Sequence, residues 1–186
     1  MTIVRMKARP TIPDLDEEEF AMFRDELARQ AREMYIDFDA WNEVLKVLVV
    51  KLDKNPTENL AGFYEKLEYS QFTRNEAVDI IVKALAYRAA WDNNKYVAEK
   101  YLRMARSALG KDIDKRENKN KESQESAMYD IRPDIFECFH QCEATLNWLK
   151  TMIDAFHLKL DNLESANLNV NRQITVTELL TYKGLL

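Results

Sequence analysis

The chain is 186 residues long with 46% hydrophobic and 10% aromatic residues, which excludes an intrinsically disordered protein and leaves room for one or two domains around a proper core. Only 3 Gly and 4 Pro leave little turn chemistry for a many-stranded sheet, so the composition predicts a mainly α protein. Twenty-seven Lys and Arg against 32 Asp and Glu give a net charge of -5, which opposes nucleic acid and anionic membrane at long range unless cations cluster locally.

Residues 1–13 carry Arg5, Lys7 and Arg9 without an acid, then Pro10 and Pro13, a composition that predicts an extended, flexible arm. The opening has no apolar run of signal-peptide length, and no segment approaches the ~20 apolar residues of a membrane span, so a soluble, intracellular, cytoplasmic protein is expected. Asp14, Asp16, Glu17, Glu18 and Glu19 then supply the carboxylates that helix N-termini favour. From Phe20 an apolar stripe steps by three or four residues through Phe23, Leu27, Ala31, Met34, Phe38, Trp41, Leu45, Leu48 and Leu52. That spacing predicts a long helix, of about 50 Å at helical rise unless it breaks near Asp37 or Asp39.

Asn55-Pro56-Thr57-Glu58 reads as a cap that opens a short helix ending near Ser70, with Leu60, Phe63, Tyr64 and Leu67 inward. Thr73-Arg74-Asn75-Glu76 reads as a capping box for a further helix lined by Val78, Ile81, Val82, Leu85, Ala89 and Trp91. Asn93-Asn94 is the expected turn of an αα-hairpin, whose return helix stops at Gly110. From Lys111 to Ser126 only Ile113 is apolar and five bases cancel five acids, the composition of a solvated linker or a frayed helix end rather than a core element. A last long helix is predicted from Pro133 to about Glu164, with Ile135, Phe139, Cys142, Leu146, Leu149, Ile153, Phe156, Leu160 and Leu163 in register. Beyond it, Leu168 to Val176 alternates like a short edge strand or extended tail, and the apolar final residues are expected to dock. The expected organisation is an arm at 1–13, a helical region at 14–110, a charged linker at 111–127 and a long helix with docking tail at 128–186, or one composite domain.

No constellation of catalytic chemistry rises above this pattern. Glu137 and His140 have the Glu-x-x-His spacing of di-iron bundles, and Asp154 with His157 is a loose variant. Both fall on one predicted helix, about 25 Å apart at helical rise, so one molecule cannot close a site between them without a helix break or an antiparallel dimer. Cys138, His140 and Cys142 cannot share one ion while the helix holds, because His140 points about 200 degrees away from Cys138. The two thiols are expected to pack as small hydrophobes, and neither reaches a base that would make it a nucleophile. No cofactor, metal site or catalytic residue is therefore expected.

Between Arg74 and Arg106 seven basic residues outnumber four acids, with Tyr87, Trp91, Tyr96 and Tyr101 interleaved, the mixture that grips a single nucleic-acid strand. The cations are spread over both expected helices, while the last long helix is acidic, so mutual packing of the two explains the pattern without a ligand. The sequence thus predicts an all-α fold of long antiparallel helices forming a helical bundle, with a central αα-hairpin, an extended N-terminal arm and a short irregular or strand-like C-terminal tail. The expected function is non-enzymatic: an interaction or assembly subunit that binds itself or another protein through a seam including Phe38, Trp41, Leu45, Leu149 and Phe156. The alternative is a nucleic-acid-associated accessory protein using Arg88, Lys95, Arg103 and Arg106 together with Arg5, Lys7 and Arg9.

Overall fold

A computed structural model describes residues 12–48, 60–111, 113 and 120–184, and among them the protein is all-α. The helices are α1 (Glu17–Val47), α2 (Leu60–Leu109), α3 (Lys121–Ile131) and α4 (Pro133–Tyr182). Asp16 caps α1, accepting the backbone N–H groups of Glu18 at 2.9 Å and Glu19 at 3.0 Å, and the three glutamates of the first turn face its positive end. α1 runs through Asp37 and Asp39 without a break. Leu52, the expected cap at Asn55, and Arg5, Lys7 and Arg9 lie outside the described residues.

The segment expected as a short helix followed by a hairpin is one helix, α2. Its capping-box threonine does not cap: the Thr73 hydroxyl donates to the carbonyl of Tyr69 at 2.6 Å, one turn back within the helix. Asn94, expected in the hairpin turn, is helical and donates from its side chain to Gln30 Oε1 at 2.7 Å. Asparagine in a helix interior costs under about 1 kcal/mol, which is less than continued burial of Trp91 and Ala98 recovers. α2 does end where glycine predicts. A Cβ at Gly110 would come within 2.7 Å of the Arg106 carbonyl oxygen, a distance no side chain tolerates.

The stretch expected as a charged linker is helical from Lys121, where Asn120 caps α3 by accepting the Ser123 N–H at 2.7 Å. Pro133 opens α4 as expected, but the helix does not give way to a strand-like tail. It continues through Leu168–Val176 to Tyr182 and stops at Gly184, which adopts φ +64. Val170 and Ile174 share period two with their neighbours, yet they also stand one helical turn apart. Burial follows the helical reading, because both pack with Phe63 and the half-buried Leu67.

One repeat organises all three long helices. Every seventh residue is buried: Phe20, Leu27, Met34, Trp41 and Leu48 along and just past α1; Phe63, Ser70, Ala77, Ala84, Trp91, Ala98 and Ala105 along α2; Ile135, Cys142, Leu149, Phe156, Leu163 and Val170 along α4. A strict seven-residue repeat keeps one face inward over many turns. α2 supplies mostly small residues at these positions, whereas α1 and, apart from Cys142, α4 supply larger ones, so bulky side chains find room against it.

The chain divides into two compact units, Met1–Glu33 with Arg88–Trp148 (unit 1) and Met34–Tyr87 with Leu149–Leu186 (unit 2). In unit 1, Phe20 meets Tyr101 edge-on at 5.1 Å and Gln30 meets Asn94, so contacts climb α1 as they descend α2. The fully buried Arg132 at the α3–α4 junction grips Glu17 at 2.7 and 3.1 Å and Asp134 at 3.0 and 3.1 Å. Its guanidinium also lies 5.9 Å from the Phe20 ring centre, so one side chain ties the start of α1 to the start of α4. In unit 2, Trp41 packs against Phe38 and Tyr87 at 5.6 and 6.1 Å, beside the Asp37 carboxylate, which accepts from Lys83 at 2.7 Å and from the Tyr87 hydroxyl at 2.5 Å.

Candidate interaction surfaces

The residues expected to form an interaction seam are spent inside the chain. Phe38, Trp41, Leu149 and Phe156 are buried and Leu45 is half-buried, so a partner would have to displace the chain's own helices to reach most of them. The apolar groups left facing water are different ones. Val78, Val82 and Leu85, read from the sequence as lining the inward face of their helix, are exposed, while Ala77, Ile81, Ala84 and Trp91 take the buried positions. The seven-residue phase of Ala77, Ala84 and Trp91 is the signal that separates the two sets, since Val78 and Leu85 each follow a buried alanine by one residue.

Unit 2 also holds a groove of about 580 Å³ between α1 and α2. Trp41 and Ile80 are buried at its floor, Val44 and Phe72 stand along its sides, and Glu76 and Asp79 are exposed at its edge. Phe72 is 69% exposed. Lys83 also borders the groove but is held by Asp37. Burial of the Asp37 carboxyl works to raise its pKa, but the hydrogen bonds from Lys83 and Tyr87, with the Lys83 charge, outweigh it and hold the group below its ordinary value.

Of the basic residues considered for nucleic acid, Lys95 and Arg106 are already paired with acids. Lys95 reaches Glu143 on α4 at 2.9 Å and lies 5.5 Å from the Phe139 ring centre. Arg106 pairs with Glu125 on α3 and sits 6.0 Å from the Phe136 ring centre. Arg88 is exposed on another stretch of α2, and Arg103 borders a hollow of about 330 Å³ that it shares with Asp14 and Lys111. With Arg74 also bonded to Glu164 at 3.0 Å, three cations of α2 are answered by acids of α3 or α4.

The thiols of Cys138 and Cys142 are pushed up to about 11 and about 12, burial being the largest cause in each, so both stay protonated and unreactive near neutral pH. Glu137 accepts from the Tyr129 hydroxyl at 3.0 Å, and His140, Asp154 and His157 are exposed. Among the described residues no three His, Cys, Asp or Glu side chains come together in a way that could hold a metal ion, and no helix is long and apolar enough to cross a membrane. No protein-family model, no curated protein and no solved structure matches this chain.

Proposed function

We propose that this protein is a non-enzymatic helical assembly subunit, its long helices packed as an antiparallel bundle, and that it associates with copies of itself through unit 2. One observation carries the reading. Of the sixteen large apolar side chains exposed among the described residues, thirteen belong to unit 2, and only Met22, Tyr96 and Tyr129 belong to unit 1. Exposed apolar groups scattered singly are ordinary, but such concentration in one of two units of similar size favours an interface. Val78, Val82 and Leu85 stand four and three residues apart on α2, the spacing that lines up along one side of a helix and suits helix-to-helix docking.

Sedimentation equilibrium at micromolar concentration tests this. The expected mass is a multiple of 21.9 kDa, falling to a single copy for Val82→Glu and Leu85→Glu together, with an unchanged helical circular-dichroism signal because both side chains face water in the single copy. A wild-type chain that stays at 21.9 kDa sinks the proposal. The nucleic-acid alternative finds less support, since Lys95 and Arg106 already have acidic partners. A labelled single strand is expected to show no salt-dependent binding.

A further inference from the structure

The groove of unit 2 has an apolar floor and an acidic edge, and its composition selects a kind of occupant. Among the described residues neither Glu76 nor Asp79 has a cationic partner, while the one cation lining the groove, Lys83, is taken by Asp37. Phe72 offers an aromatic face to water at the side of the groove. Its volume falls within the ~300–1,000 Å³ range of sites that hold ligands by a few anchoring groups. An occupant that satisfies both parts brings apolar side chains for Phe72 and Val44, and cations for Glu76 and Asp79.

The chain itself carries such a segment. Residues 1–11, Met-Thr-Ile-Val-Arg-Met-Lys-Ala-Arg-Pro-Thr, place Ile3, Val4 and Met6 among Arg5, Lys7 and Arg9 with no acid. The other acid-free run of that length with three or more cations, Lys100 to Lys111, is built into the end of α2 and the turn after it. We propose that the groove of one copy takes residues 1–11 of a second copy. Apolar contact with Phe72 and the half-buried Val44 provides the binding area, and Glu76 and Asp79 provide the selection for a basic segment. The proposal rests on the self-association argued above and identifies one of its contacts.

The test uses the full chain carrying Arg5→Glu, Lys7→Glu and Arg9→Glu, so that its own segment does not compete, titrated into a fluorescein-labelled synthetic peptide of residues 1–11 and read by anisotropy. Saturable binding is expected. It should weaken by about tenfold or more when Glu76→Lys and Asp79→Lys are added, and again with Phe72→Ser; all three positions are exposed, so the variants should keep the helical circular-dichroism signal of the wild type. No binding, binding indifferent to the groove substitutions, or equal binding of a peptide with Ile3, Val4 and Met6 replaced by serine would each overturn the proposal. In the last case only a negative patch would remain. Sedimentation of the wild-type chain separates this from the parent reading. A chain that binds the peptide yet stays monomeric places the segment in its own groove, which overturns both. A dimer dissociated by Val82→Glu but blind to the peptide overturns the groove alone.

Discussion

Unit 1 and unit 2 draw on the same three long helices, yet they finish their surfaces differently. Both interiors follow the same seven-residue repeat, so the contrast lies in the positions beside it. On α2, Val78 and Leu85 of unit 2 each follow a buried alanine; fourteen residues later, at the same place in the repeat, stand Asp92 and Glu99. Twenty-one residues after the exposed Val82 comes Arg103. Unit 1 thus puts charge at places where unit 2 puts aliphatic groups, while both units join their helices by ion pairs, at Lys95, Arg106 and the buried Arg132 in unit 1 and at Lys83 and Arg74 in unit 2. A repeat that sets the core leaves the flanking positions open to selection, and those positions distinguish a surface closed by its own charges from one that offers apolar area.

The contrast breaks most forcefully at the apolar seam of unit 2. Phe156 is 1% exposed at a seventh-residue position, so Phe156→Ala should cost about 3–5 kcal/mol of unfolding free energy through lost transfer and the cavity left behind. Urea unfolding followed by circular dichroism measures it. A loss under about 1 kcal/mol would mean that the seam collapses around the gap and does not govern the stability of unit 2.

In unit 1 the matching test is the guanidinium. Arg132→Met leaves Glu17 and Asp134 without their shared cation and should cost about 3 kcal/mol, at the low end for a broken buried pair because Glu17 is half-exposed. Arg132→Lys should recover only part of this, since an ammonium cannot reproduce two bidentate grips. Hydrogen exchange should accelerate at the start of α1 and in α3 and stay unchanged around Phe156. Uniform acceleration would show that the clamp supports both units alike.

The helical class and the inward face of α1 and of most of α4 were legible because Phe20 to Leu48 and Ile135 to Leu163 keep helical spacing over many turns. The start of α4 at Pro133 and the end of α2 at Gly110 were legible because those residues have few other places to stand. Capping signals misled. Thr73-Arg74-Asn75-Glu76 and Asn93-Asn94 have the residue types of helix ends, but such preferences are worth about 1 kcal/mol and yield where seven-residue burial continues. Leu168 to Val176 misled differently: apolar residues at 168, 170, 174 and 176 satisfy a period of two, while Val170 and Ile174 also stand one helical turn apart, and packing against Phe63 decides for the helix. The exposed apolar face of α2 was the least legible, because an apolar stripe in a sequence does not say which side of it a neighbouring helix covers.

Asp37 tests whether unit 2 depends on charge at all. Its folded pKa lies below the ordinary 3.8, so its contribution to stability is present above the unfolded value and disappears as pH falls through the folded one. Lys83 is 54% exposed, and solvent screening keeps the pair to about 1 kcal/mol. Asp37→Asn should therefore cost about that much at pH 7, and the gap from wild type should narrow below about pH 4 and close once the carboxylate is protonated. A gap that persists at pH 2 would assign the loss to geometry at Tyr87 instead of charge.

The smallest expected effect has the opposite sign. Ser70 occupies a seventh-residue position of α2 in series with Ala77 and Ala84, and its side chain is fully buried. Its hydroxyl oxygen and the Asn167 carbonyl oxygen are both buried without a hydrogen-bond partner among the described residues. An unsatisfied buried polar atom carries its desolvation cost with nothing to offset it, so Ser70→Ala should stabilise the protein by up to about 1 kcal/mol and raise the melting temperature by a few degrees. Ser70→Leu should instead destabilise, because the repeat at this point is built for a small residue and extra methylenes force the helices apart. If alanine lowers the melting temperature, the hydroxyl has a water for a partner, and unit 2 contains a polar contact inside its seam of the kind that unit 1 builds around Arg132.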